Sequence, residues 1–179
     1  MASTINYVLS MGEGRVIYVI DDRVDWEAGL RGAFWGPFIA AHTRGEARMN
    51  CVGSMVENVL AMLGPGDRIA GLRIVDHATE VGIELGDDWV TLRSFEAHAP
   101  VLSRLTPRFG PGAFAHFVGC LSGNNPALLR RFAGLWGVPV TGGTGTTNGL
   151  EINHGAWISV CPKGRVRENA GWPHPATVG

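Results

Sequence analysis

Charge is scarce in this chain. Asp, Glu, Lys and Arg make up 17% of its 179 residues, and 15 basic residues nearly balance 16 acidic ones, for a formal net charge of -1. So even a balance gives no long-range attraction to nucleic acid or to an anionic lipid surface, and neither is expected as a partner. Long hydrophobic runs are missing too. The longest, such as Val16–Ile20 ("VIYVI") and Val59–Leu63 ("VLAML"), fall far short of the roughly 20 residues a membrane helix needs. The first residues, "MASTINYVLSMGEGR", have no basic region and no long apolar stretch, which argues against a Sec signal. Cysteine is sparse and odd in number: Cys51, Cys120 and Cys161. That excludes a disulfide scaffold as the basis of the fold and points to reduced thiols, hence a cytoplasmic protein. No C-x-x-C, H-x-x-x-H or H-E-x-x-H spacing occurs, so neither a metal nor another cofactor is expected. Internal repeats and low-complexity segments are also lacking. What remains is a chain 45% hydrophobic, which suits one globular domain over residues 1–179 with a sizeable core.

Strand-like and helix-like stretches alternate along it. Arg15–Ile20 ("RVIYVI") is β-branched and apolar and ends in Asp21–Asp22, the pattern of a buried strand. The glycine- and aromatic-rich segment "GLRGAFWGPF" that follows reads as irregular. From Asn50 the period turns helical, with Val52, Met55, Val56, Val59, Leu60 and Leu63 on one stripe, Asn50 as cap and Gly64–Pro65–Gly66 as stop. "RIAGLRIVDH" reads as a second strand ending at His77, and Val81–Leu85 alternates as a short strand beside it. Leu92, Phe95, Ala99 and Leu102 space as a helix stopped near Pro107. "AFAHFVGC" is a third strand, and Asn125–Pro126 form a cap and first-turn pair for a helix that buries Leu128, Phe132, Leu135 and Trp136 and stops at Gly137. "VPVTG" is a fourth strand, "LEINHGAWISVCPKG" a hairpin or bent strand, and residues 165–179 a loose tail. The alternation predicts an α/β fold of three layers, with a mainly parallel central sheet and helices on both faces.

That architecture directs attention to strand ends, because open parallel sheets build their sites outside the carboxyl ends of the strands. His77 closes one strand and Cys120 another. A thiol there lies near helix N-termini, which favour an anion, and an imidazole beside it can take the thiol proton and return it to a leaving group. The Gly and Asn residues after Cys120 leave amides free for an oxyanion. Asp21 and Asp22 end the first strand at the same edge, where a carboxylate facing the residue before a scissile bond would favour arginine or lysine. Cys51 and Cys161 read as structural, and His116 as a satisfied core histidine. His154 belongs to the terminal element, which could approach the cleft. "TGGTGTTNG", 141–149, lacks the lysine and the strand–loop–helix setting of a phosphate loop and reads as a wall of a substrate cleft.

The ordered blocks "LRIVDHA", "VGIELG" and "FVGCLSGNNPALLRRFAGLWGVPVTG" resemble the caspase-like cysteine peptidase superfamily, and within it an uncharacterised bacterial domain group. That group shows a strand ending in Gly-His-Gly, then "I.LG", a strand ending in Gly-Cys-x-x-Gly, a helix, a "PV" strand and a "G.W....P.G" element. The similarity spans about residues 50–164, and its specificity lies in the block order. It implies a caspase-like fold, His77 as the catalytic histidine, Cys120 as the nucleophile, and an oxyanion hole from the backbone N–H groups of Ala78 and Cys120. It also implies that Val118, two before the nucleophile, lines the specificity pocket, and that the partner is a peptide or protein substrate. The family's Gly-His-Gly is Asp76–His77–Ala78 here, a departure that bears on turnover. A catalytically silent domain that binds a peptide or protein in the same cleft is therefore the second expectation. Oligomeric state is not legible in the sequence.

Overall fold

The computed structural model describes residues 14–23, 46–147 and 153–169. Its strands are β1 (Arg15–Asp21), β2 (Glu46–Met49), β3 (Ile69–Val75), β4 (His77–Ala78), β5 (Gly82–Leu85), β6 (Asp88–Thr91), β7 (Phe109–Phe117), β8 (Val140–Gly143), β9 (Trp157–Val160) and β10 (Val166–Asn169). Its helices are α1 (Val52–Ala61), α2 (Phe95–Leu102) and α3 (Pro126–Trp136). Seven strands form one sheet in the order β10-β9-β8-β7-β3-β1-β2. β2, β1, β3, β7 and β8 run parallel, and β9 and β10 complete the edge antiparallel. The protein is thus α/β with a mainly parallel sheet. β4, β5 and β6 make a separate three-stranded antiparallel sheet.

The central strands are apolar on both faces because both faces are buried, as expected of parallel strands. All seven residues of β3 are buried. Ile17, Val19, Leu72, Ile74, Ala115 and Phe117 alternate onto one face, where they meet the apolar stripes of α1, α2 and α3. Phe117, Phe132 and Trp136 form the aromatic centre of this layer, and the Trp136 indole donates to the Leu102 carbonyl at 3.1 Å. The opposite face carries Tyr18, Ile20, Val75 and Val118 in a second buried cluster. No described helix packs on it.

Local signals set the helix ends. Asn125 Oδ1 accepts from Leu128 N at 3.0 Å, Pro126 takes the first turn, and Gly137 ends α3 at φ 70°. The start of α1 differs from expectation. Cys51, rather than Asn50, is the cap: its sulfur accepts from Ser54 N at 3.3 Å, while Ser54 Oγ accepts from Cys51 N at 3.1 Å. Asn50 Oδ1 accepts from the same hydroxyl at 2.8 Å. Leu92 lies outside α2 and is exposed, since that helix begins only at Phe95. Part of what was expected as a loose tail is a strand. Val166–Asn169 pair with β9 through a turn at 161–165, and residues 170–179 lie outside the described residues. So does "GLRGAFWGPF".

Candidate functional site

Counting parallel strands alone, the sheet order is second, first, third, fourth, fifth, so the direction in which successive strands are added reverses between β1 and β3, which themselves run parallel. In such sheets the crevice beyond the carboxyl ends, at the reversal, is where sites form. β1 ends there at Asp21, β3 runs out into Asp76 and His77, and β7 into Val118, Gly119 and Cys120. β3 and β7 are hydrogen-bonded neighbours, with Ile74 opposite Phe117 and Val118 N donating to Ile74 O at 2.7 Å. Beyond that bond the two chains stay in contact. A Cβ placed on Gly119 would stand 2.3 Å from Asp76 Oδ1, 2.9 Å from Ala78 Cβ and 3.2 Å from Ala78 N. His77, between Asp76 and Ala78, and Cys120, after Gly119, therefore flank one tight contact that only glycine permits.

Cys120 is half-buried. Its sulfur receives the Thr147 N–H at 3.3 Å and lies 3.6 Å from the Thr147 carbonyl, to which the thiol can donate. The next residue, Leu121, has φ 59° and is the non-glycine residue with positive φ among those described. For a branched side chain this left-handed turn costs about 1–2 kcal/mol. It is held by the Leu121 N–H bond to Gly145 O at 2.9 Å and by the buried Ser122 hydroxyl, which donates to Gly119 O at 3.0 Å. A strained turn pinned on both sides sets the direction in which the Cys120 side chain leaves the strand. Thr147, within "TGGTGTTNG", is thus the residue of that segment in contact with the thiol.

Asp76 is buried, and neither carboxyl oxygen has a hydrogen-bond partner among the described residues. Burial first, then the charge of Asp21, and further out that of Glu84, push its pKa well above the usual carboxylate range. The amides of Asp76 and Gly119 pull the other way, but they stand outside good hydrogen-bond geometry and do not reverse the shift.

The two aspartates weighed for substrate recognition separate. Asp21 is 0% exposed and its carboxylate is committed inside the fold, with Oδ1 accepting from Arg23 N (2.9 Å) and Nε (3.2 Å), and Oδ2 from Arg23 Nη2 (2.9 Å) and Gly86 N (3.1 Å). It has no free lone pair of good geometry for a substrate, which corrects its assignment to substrate binding. Asp22 is the exposed one. Val118 is buried with Tyr18, Ile20 and Val75 and lines no open surface. Cys51 is the α1 cap, and Cys161 is buried. His116 is fully buried with its ring edge-on to Trp157, centroids 4.7 Å apart. His154 is exposed, and its amide donates to Thr146 O at 3.0 Å.

The small sheet adds residues that sequence reasoning missed. Ala78, Ile83 and Val90 pair in one row and are all buried. His77, Glu84 and Trp89 pair in the next row, which side-chain alternation turns to the opposite side. Glu84 receives Arg23 Nη1 at 2.8 Å. Arg23 also donates to the Gly86 carbonyl. Its bonds to Asp21, and then Glu84, keep the guanidinium charged against the effect of burial. Trp89 is 38% exposed. The signal for this row was present: Gly86–Asp87 is a two-residue hairpin turn, and counting back from it pairs Glu84 with Trp89.

Among the described residues no cluster of three His, Cys, Asp or Glu has metal-holding geometry, and no helix is long and apolar enough to cross a membrane. The chain matches no family model, no curated protein and no solved structure.

Proposed function

We propose that this chain is a thiol peptidase of caspase-like type. The observation that supports the reading is the contact of Gly119 with Asp76 and Ala78, which brings the segments that carry His77 and Cys120 together at the carboxyl edge of the sheet. In the proposed reaction His77 takes the Cys120 thiol proton as the sulfur attacks a peptide carbonyl carbon. The oxyanion that forms accepts from the N–H groups of Ala78 and Cys120. His77 then protonates the leaving nitrogen, the C–N bond breaks and a thioester remains. Water, deprotonated by His77, attacks the thioester, and the proton returns to the sulfur. Trp89, at the end of the row His77–Glu84–Trp89, offers the substrate an apolar surface two strand spacings, about 10 Å, from the His77 backbone. Asp22 is the carboxylate left for a basic residue before the scissile bond.

A specific observation favours the second reading, a silent domain that binds a peptide or protein in this cleft. Thr147 already engages the Cys120 sulfur through both its amide and its carbonyl, so the 144–147 segment stands where a substrate carbonyl would come.

Alkylation and hydrolysis separate the readings. Limited iodoacetamide near neutral pH should label Cys120 ahead of Cys51 and Cys161, and His77→Ala should slow that labelling. Cys161 is the relevant competitor. Burial pushes its thiol up, but the Arg165 side chain, the amides of Arg165 and Lys163 and the Arg165 charge together bring its pKa below the usual value. At 3% exposure, however, the reagent does not reach it in the native fold. If the chain is a peptidase, Cys120→Ala abolishes peptide hydrolysis. If it only binds, wild type shows no hydrolysis and Cys120→Ala still binds the peptide. Labelling of Cys120 that is unaffected by His77→Ala sinks the dyad.

A further inference from the structure

A groove of about 510 Å³ lies on the outer surface of the helical layer. Its floor is Phe95 and Ala99 of α2 and Gly134 and Leu135 of α3, and it is closed on one side by the turn Pro162–Gly164. That turn follows β9, which runs antiparallel to β8, so Val160 pairs with Val140 at the start of β8. The turn therefore stands at the edge of the sheet opposite Cys120, and the groove is separate from the thiol site.

Two features mark it as built to hold something. The first is the rim. Arg131 is satisfied internally, paired with Glu96 and set over the Phe95 ring at 5.3 Å. Arg130 and Lys163 have no ion-pair partner among the described residues, and both line the groove from positions far apart in the chain. Arg130 lies along the turn, its Nε 3.1 Å from where a Cβ on Gly164 would stand. The second feature is Gly134, a glycine inside α3 at ordinary helical φ. A Cβ placed there meets nothing within 4 Å, so no packing among the described residues requires glycine. Glycine is among the poorest helix formers, so its presence lowers helix stability without return from within the fold. What it does is leave the groove floor open.

We infer that this groove binds an acidic peptide segment of a protein partner, with one apolar side chain seated over Gly134 and carboxylates on Arg130 and Lys163. The apolar floor calls for a side chain and the cationic rim for carboxylates, and an open trough between two helices and a turn takes an extended chain. Two free cations beside Glu96, on a chain of net charge -1, are too few for a nucleic acid backbone.

The probes are Ac-EELEE-NH₂, Ac-EEAEE-NH₂ and Ac-KKLKK-NH₂, titrated into the full ¹⁵N-labelled chain. The leucine acidic peptide should shift amides of α2, α3 and the 161–165 turn, bind more tightly than the alanine peptide, and weaken as salt rises. The lysine peptide should not bind. Arg130→Glu and Lys163→Glu, both at exposed positions, should each weaken binding about three- to tenfold. Gly134→Leu should abolish it. Gly134→Ala should raise Tm by about 2–4 °C while lowering affinity, a combination that a merely structural glycine would not show. Absence of acidic-peptide binding, shifts confined to other surfaces, or affinity unchanged in Gly134→Leu and both charge reversals would overturn the inference. None of these readouts depends on Cys120.

Discussion

Asp76 is the residue whose chemistry is most at odds with its surroundings. A carboxyl with no hydrogen-bond partner among the described residues, beside Asp21, is tolerated in its neutral form, and burial raises its pKa accordingly. In the unfolded chain it titrates near pH 3.9, so between that value and its raised folded value the folded protein holds a proton that the unfolded chain has lost. Its contribution to stability is therefore fully present at low pH and lost as pH rises through that window, by about 1.4 kcal/mol for each unit of displacement. Asp76→Asn keeps the shape and cannot ionise. Compared with wild type at each pH, its Tm should be nearly equal near pH 4 and progressively higher toward pH 8. A difference that does not change with pH would show that the carboxyl does not titrate in the fold. The departure Asp76–His77–Ala78 thus places next to His77 a carboxyl whose ionisation burial and the charge of Asp21 disfavour.

At the scale of elements, the junction of β3 and β7 controls the site. Gly119 is where the outgoing chains touch, and the added methyl of Gly119→Ala would stand against both Asp76 Oδ1 and Ala78 Cβ. Overpacking of this kind costs typically about 1–3 kcal/mol. The strain should also move the His77 segment away from Cys120. The expected outcome is a lowered denaturation midpoint together with slow Cys120 alkylation. Because one of the two close contacts is the Asp76 oxygen, Asp76→Ala in the Gly119→Ala background should recover part of the lost stability. Strict additivity of the two substitutions would place the contact elsewhere. The same junction accounts for the strained Leu121 turn: the chain must leave a buried strand, aim Cys120 and enter α3 within a few residues.

For the molecule as a whole, β3 is the centre. It pairs with β1 on one side and β7 on the other, and every one of its residues is buried. β10 is an edge strand with Val166, Arg167 and Glu168 exposed. Hydrogen exchange on the native protein should therefore be slowest at β3 amides, which open only with global unfolding, and fast at β10 and the outer edge of the small sheet. Exchange of β3 as fast as that of β10 would contradict the sheet order. The molecule has two surfaces of different chemistry: the carboxyl edge carrying His77, Cys120 and Trp89, and the α2–α3 groove at the far side carrying Arg130 and Lys163.

The sequence by itself determined the features that depend on a few neighbouring residues. Asn125–Pro126 and Gly137 bound α3 because capping and left-handed closure are satisfied within one turn, and the β-branched runs of β1 and β3 read as buried strands because both their faces are apolar. That two buried strands run out shortly before His77 and Cys120 was legible on the same grounds, although β3 stops at Val75, β7 stops at Phe117 and His77 opens β4 of the small sheet. The choice of Cys51 over Asn50 as cap was not, since a thiol is a weak acceptor and only the reciprocal bond with Ser54 decides for it. Nor were the commitment of Asp21 to Arg23 and Gly86, the exposure of Trp89 in the row of His77, or the pairing of β10 in what read as a tail. These depend on register and on which strand lies beside which. Gly86 N reaches Asp21 across 65 positions of chain, and no local propensity carries information over that distance. The tertiary structure decided them, because a buried carboxylate, an unpaired strand edge or an apolar face takes its partner from whatever the fold brings within a few ångströms.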